Sequence, residues 1–283
     1  MEQNKETQTY QSRFMDSFHK ILGGREFFST ETWKLTLIEL AATAVLMFGL
    51  TCSIIIVESK KVAPVVLVPF AVFIISFWLL IVTVPLSGRH LSPTITLISL
   101  LKIVITITRA LMYAIAQCIG SIIGFIMIKY IMDPKLQKTY SLGGCVIGDD
   151  HHKGLGSKPL LALLIEFFCT FIVLLVGVTL SFDRIRSNKL GLRNGCMLTA
   201  GSVAFVVFVS TNITGHSGYA GVGLNPARCL GPALLRGGSL WNEHWIFWVG
   251  PFLACIVYGL LIHLPSNSAR SEDSSIDVAN DEV

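Results

Sequence analysis

Two proline-led tripeptides, Ser92-Pro93-Thr94 and Asn225-Pro226-Ala227, occupy matching places in the two halves of a very apolar chain. Each is followed by a stretch long enough for only a half-length helix. A helix that begins inside a membrane leaves its first N–H groups without partners, so it needs side-chain caps or a polar cavity. Two such beginnings in one chain imply a pore. Of the 283 residues, 52% are hydrophobic and 14% charged, and the mean hydropathy is +0.65, which predicts an integral membrane protein set in a lipid bilayer. The net charge of +4 collects in the polar segments and gives no reason to expect a nucleic-acid partner.

Apolar runs fall at 36–57, 65–85, 104–131, 159–181, 193–212 and 245–264, each near the ~20 residues a bilayer requires. Between the second and third, and again between the fifth and sixth, the segments Leu86–Leu101 and Ile213–Arg236 are too short and too rich in Gly and Pro to cross. They read as re-entrant. The expected fold class is therefore an all-α membrane protein with six transmembrane helices and two re-entrant half-helices. Three spans precede the central segment and three follow it, so the second half enters the membrane inverted. The predicted organisation is an N-terminal arm (1–34), a first repeat (35–131), a central loop (132–158), a second repeat (159–264) and a tail (265–283).

The arm is polar and lacks the apolar core of a cleaved signal, so the first span is expected to direct insertion. Arg184, Arg186, Lys189 and Arg193, together with the basic arm, put both ends in the cytoplasm. Lys135, Lys138, Lys153 and Lys158 on the opposite side weaken that bias. The Ser-rich acidic tail is expected to be disordered, and its serines or those of 181–187 are candidate phosphate acceptors.

The repeats match in detail, since Glu39 in Ile38-Glu39-Leu40 pairs with Glu166 in Ile165-Glu166-Phe167. A carboxylate inside a spanning helix is costly, and the two readings are a brace for loop N–H groups or a proton relay. Re-entrant loops carry many backbone donors, which favours the brace. Ser92 and Asn225 are both good N-caps, and the following Pro93 and Pro226 lack the N–H that would otherwise be unpaired. Two facing helix starts make a positive potential that opposes cations and protons, and Asn225 has amide hydrogens to offer a passing oxygen. Ser92 has one donor where an amide has two, while Thr94 adds a hydroxyl close by. Arg228 places a fixed positive charge in the second half-helix at pore depth, where it repels cations and donates to polar solutes.

Over its whole membrane-embedded length the sequence resembles the aquaporin, or major intrinsic protein, family. Ser87-Gly88-Arg89-His90-Leu91-Ser92-Pro93 resembles the family's first loop and Gly221-Val222-Gly223-Leu224-Asn225-Pro226-Ala227-Arg228 its second. Trp248-Val249-Gly250-Pro251 resembles the start of its sixth helix, and Gln117-Cys118-Ile119-Gly120 its third, where Gly120 and Gly124 form a pair of small residues suited to close packing. The altered first tripeptide, Cys229 after Asn-Pro-Ala-Arg, and Leu142-Gly143-Gly144-Cys145 are most similar to the X intrinsic proteins of plants and fungi. The resemblance implies a homotetramer with one pore per subunit and a plasma-membrane location. It also implies a selectivity filter of Val72, Ile213, Val222 and Arg228, with Thr211 or Thr214 as alternatives to Ile213, and His90 as a brace of the first loop.

One arginine ringed by aliphatic side chains suits small neutral solutes such as glycerol, urea, boric acid or hydrogen peroxide, with modest water flux. A mainly water-conducting pore is the alternative, ahead of a secondary transporter, which usually needs ionisable groups at its substrate site. No nucleophile, base and metal set points to an enzyme, and no cofactor is expected. Asp149, Asp150, His151 and His152 form a solvated patch rather than a metal site. The seven cysteines lack metal spacing, and five read as apolar helix residues. Cys145 and Cys229 stand on the loop side as candidate thiol sites, the first for bridging subunits or reacting with oxidants, the second for mercurials at the pore wall; plain packing is the other account of both. Asn212-Ile213-Thr214 matches the glycosylation pattern at a position unsuited to modification.

Overall fold

The fold is known from a computed structural model that describes residues 20–61, 63–88, 90–147, 159–182, 184–213 and 221–263, without the side chains of 180–182, 184–188, 212–213 and 263. The first repeat contains α1 (Thr30–Lys60), α2 (Pro64–Ser87), the short α3 (Pro93–Leu101) and α4 (Ile107–Ile131). After a small α5 (Pro134–Thr139), the second repeat follows with α6 (Pro159–Phe182), α7 (Arg184–Ile213), the short α8 (Pro226–Arg236) and α9 (Ile246–His263). Among the described residues, six helices are long and apolar enough to cross a membrane. The nine residues of α3 and eleven of α8 reach only about 14 and 16 Å at helical rise, half a bilayer core.

The helix ends depart from expectation where local chemistry decides them. The first helix starts at Thr30 rather than 36, because Ser29 caps it by accepting a hydrogen bond from the Thr32 N–H. Likewise α4 waits until Ile107, capped by Thr106. The fifth span joins a preceding helical stretch across a break at Gly191, whose φ of 74° and ψ of 159° are not helical. The central segment holds structure of its own: Asp133 caps α5, and a turn at Ser141–Gly143 follows. Asp149, Asp150, His151, His152, Thr214, His216, residues 1–19 of the arm and the tail from 264 lie outside the described residues.

Packing follows the duplication. In each repeat the first helix lies against the third, α1 on α4 and α6 on α9, while α2 and α7 pair across the repeats. Each half-helix packs against the third long helix of the other repeat, α3 on α9 and α8 on α4, so the repeats interlock. Apolar helix surfaces gain little hydrophobic drive from meeting inside lipid, whose tails are as apolar as they are, so close backbone approach must supply contact instead. At Gly124 an added Cβ would stand 2.5 Å from the Ala44 carbonyl oxygen and 3.1 Å from the Met47 Cβ.

Replacing Gly124 by Leu should separate α1 from α4, at a cost of about 1–3 kcal/mol or more because backbone must move. The expected result is a lower thermal midpoint and a loss of the monodisperse peak on size exclusion in detergent; an unchanged midpoint would contradict the packing described.

Candidate functional site: a lined cavity between two half-helices

The site is built from two loops that carry their backbone through the interior in the same way. Leu91 and Leu224, the residues just before Ser92 and Asn225, both have left-handed backbone, with φ of 51° and 58°. A β-carbon in that region costs on the order of 1–3 kcal/mol, so each must be held by its surroundings. Glu39 supplies the hold in the first repeat. Its Oε2 accepts from the Leu91 N–H at 2.7 Å and from Gln117 Nε2 at 3.0 Å, and its Oε1 accepts from the His90 N–H at 3.3 Å and from Ser87 Oγ at 2.5 Å. In the second repeat Glu166 Oε1 accepts from the Gly223 N–H at 2.6 Å and Oε2 from the Leu224 N–H at 3.2 Å. Both carboxylates are fully buried. A hydrogen bond to an ionised acceptor is worth about 1.5–3 kcal/mol, and several together offset the cost of placing the charge there.

The half-helices then start at matching caps. Ser92 Oγ accepts from the Thr94 N–H at 3.2 Å, and Asn225 Oδ1 from the Ala227 N–H at 3.0 Å. Pro93 and Pro226 take the first helical positions, and both are buried with Ala227 behind the cavity wall. The helix starts also bond to each other: Asn225 Nδ2 donates to the Leu91 carbonyl at 3.0 Å and Thr94 Oγ1 to the Leu224 carbonyl at 3.2 Å. From the opposite repeat, Ser121 Oγ donates to the Ala227 carbonyl, and Cys255 Sγ to the Thr94 carbonyl at 3.3 Å.

Along these starts runs a cavity of about 360 Å³. Its lining includes Glu58 and Pro64, at the adjoining ends of α1 and α2, and Gly177 and Thr199 on α6 and α7. Val72, Val222, Arg228, Ser92, Thr94, Asn225 and His90 all line it. Its remaining wall is mostly aliphatic, from residues such as Leu50, Val68, Val173 and Val207, and among the described residues His90 supplies the only aromatic ring. Ile95 occupies the place in α3 that Arg228 occupies in α8, three residues after the cap, so the pair of half-helices carries its guanidinium at one end only. Thr211 stands on the wall contributed by α7. The side chain of Ile213, the residue expected there, lies outside the described residues.

Cys145 and Cys229 correct the expectation of two separate thiols, whether reactive or packed. They form a disulfide with Cα atoms 5.2 Å apart across a sequence separation of 84 residues. The turn at 141–143 explains the pairing. Gly143 has a φ of 67°, and a Cβ there would stand 2.5 Å from Thr51 Cγ2; one at Gly144 would stand 2.6 Å from Leu240 Cδ2. The glycines let the chain settle onto α1 and onto the 3-10 turn Gly238–Trp241 that follows α8, which delivers Cys145 to Cys229. Arg228 Nη1 donates to Cys145 Sγ at 3.1 Å, so the bridge also touches the guanidinium.

Sequence reasoning missed several supports. Gln117 donates both to Glu39 and to Thr96 Oγ1 at 3.0 Å, while in the sequence it stands out only as part of the Gln117–Gly120 motif. Ser210 Oγ accepts from the Val222 N–H at 3.1 Å and Ser121 reaches the second half-helix, and both were legible only as hydroxyls within apolar helices. Among the described residues no cluster of three His, Cys, Asp or Glu side chains is placed to hold a metal.

An all-helical membrane protein with inverted repeats meeting at two capped half-helices is the class these features define. The family model described as "Major intrinsic protein" matches residues 26–262, and the chain belongs to that family. Aquaporin-1 of Ovis aries is 34% identical over 181 residues, covering 62% of this chain and 60% of that protein. Aquaporin TIP4-2 of Zea mays is 31% identical over 175 residues with the same coverage. The chain thus spans about 60% of the length of these curated relatives. Among solved structures, the aquaglyceroporin of Plasmodium falciparum shares the fold with a TM-score of 0.59 at 17% identity, covering 82% of this chain and 97% of that one.

Thiol counting tests the bridge. Of the seven cysteines, the five at 52, 118, 169, 196 and 255 are free. Protein unfolded in detergent without reductant should therefore take up five maleimides, rising to seven after reduction; seven at the outset would contradict the disulfide.

Proposed function

We propose that the chain is a passive membrane channel for small uncharged solutes, of the kind represented by glycerol, urea, boric acid and hydrogen peroxide. Water passes modestly, and ions and protons are excluded. The observation that carries this reading is the cavity wall, in which the single guanidinium of Arg228 faces aliphatic side chains that include Val72 and Val222. Such a wall solvates water poorly but accepts a solute with an apolar face and a few hydroxyl or amide groups. Arg228, Val72 and Val222 form the narrow filter, with Thr211 on the side where Ile213 was expected.

Ion exclusion follows from charge. An entering cation meets the guanidinium and then two positive helix ends, with too few fixed oxygens to replace its water shell. Asn225, already donating one amide hydrogen to Leu91, keeps a second for a passing oxygen. Glu39, Glu166 and His90 brace the loops and take no part in proton transfer. The protein works in the plasma membrane as a homotetramer with both termini in the cytoplasm. Within the family it belongs with the X intrinsic proteins, a placement supported by Ser92, the Leu142–Cys145 turn and Cys229. The competing reading, a mainly water-conducting pore, draws on the aquaporin names of the curated relatives.

Val72→Phe puts a ring into the narrowest part of the proposed path. In proteoliposomes, glycerol and urea uptake should fall severalfold while water flux falls less. Equal fluxes for variant and parent would show that Val72 is not at the constriction.

A further inference from the structure

We propose that Thr94 is the positioning residue that closes the contact between the two half-helices. In the first repeat, the two tasks that Asn225 performs alone in the second are divided between Ser92 and Thr94. The inverted repeat makes the division visible. Asn225 uses Oδ1 to cap its own helix through the Ala227 N–H at 3.0 Å and uses Nδ2 to reach across to the Leu91 carbonyl at 3.0 Å. A serine is too short to do both. Ser92 Oγ caps through the Thr94 N–H at 3.2 Å, and the return contact, to the Leu224 carbonyl, comes from Thr94 Oγ1 at 3.2 Å.

Both receiving carbonyls belong to left-handed leucines, each held from behind by a buried glutamate. The two cross-contacts thus finish the satisfaction of the backbone groups of two left-handed residues in an interior where a lone carbonyl is expensive. Ala227, at the place in α8 that matches Thr94, has no polar side chain and needs none, because Asn225 already supplies that contact.

The division also changes what the pore centre offers, a consequence that rests on the proposed channel reading. The Thr94 hydroxyl has its proton on Leu224, so toward the cavity it presents only lone pairs. Asn225 presents its remaining N–H. An acceptor facing a donor at the midpoint matches the hydroxyl groups of polyols, each of which gives and takes one hydrogen bond.

The test is a double-mutant cycle on purified full-length protein, reading the thermal midpoint in detergent and glycerol uptake in proteoliposomes. Thr94→Ala should lower the midpoint by about 2–4 °C, the shift expected for one lost internal hydrogen bond in a chain of this size. Adding Ser92→Asn to that variant should restore the midpoint, because the amide can then reach Leu224; Ser92→Asn alone should bring no gain, because hydroxyl and amide compete for one carbonyl. Thr94→Ser, which keeps the hydroxyl, should resemble the parent. Losses that simply add in the double variant, or a Thr94→Ser midpoint as low as that of Thr94→Ala, would overturn the proposal. Glycerol uptake should fall severalfold in Thr94→Ala. Midpoints that follow the cycle while uptake stays at the protein-free level in every variant and in the parent would uphold the positioning role and refute the channel reading instead.

Discussion

A backbone N–H without a partner in the middle of a membrane sets the terms for this molecule. The chain must run non-helical segments to mid-depth in order to start two half-helices there, and each segment carries amides that no helix satisfies. Glu39 and Glu166 resolve that conflict. Each is a carboxyl group buried where such a group is costly, yet each takes paired amides from the loop of its own repeat, so the unpaired N–H groups and the buried acceptor satisfy one another. The left-handed leucines, the caps and the direction of both helix dipoles all depend on these contacts.

With that constraint met twice by symmetry, the functional character comes from where the symmetry breaks. Arg228 has Ile95 as its counterpart, Asn225 has Ser92, and Ala227 has Thr94. Only one of the two half-helices accordingly brings a guanidinium to the cavity, and the hydrogen-bonding groups at the centre differ between the two sides. The disulfide is a further break. It ties the central segment to α8 beside Arg228, so the position of the guanidinium is set partly by a covalent link that has no equivalent in the first repeat.

Much of this was legible in the chain because membranes leave so few options. Apolar runs of spanning length, two proline-led starts and two matched glutamates were enough to indicate six spans, two half-helices and braced loops. Helix ends were harder: Ser29 and Thr106 move the first and third spans by their capping hydrogen bonds, which hydropathy does not register. The Cys145–Cys229 pairing was hidden for another reason. Its partners are far apart in sequence, and only the path of the turn at 141–143 brings them together. The cross-contact of Thr94 was equally invisible, since it spans 130 residues and depends on both carbonyls pointing across the same cavity.

The central claim is that the aliphatic wall around Arg228 selects small neutral solutes over water. Stopped-flow light scattering on proteoliposomes of the unmodified protein tests it most directly, comparing glycerol and water permeability with those of protein-free liposomes of the same lipid. The account predicts that the protein raises glycerol permeability by a larger factor than water permeability. A strong rise for water with glycerol left at the protein-free level would contradict it.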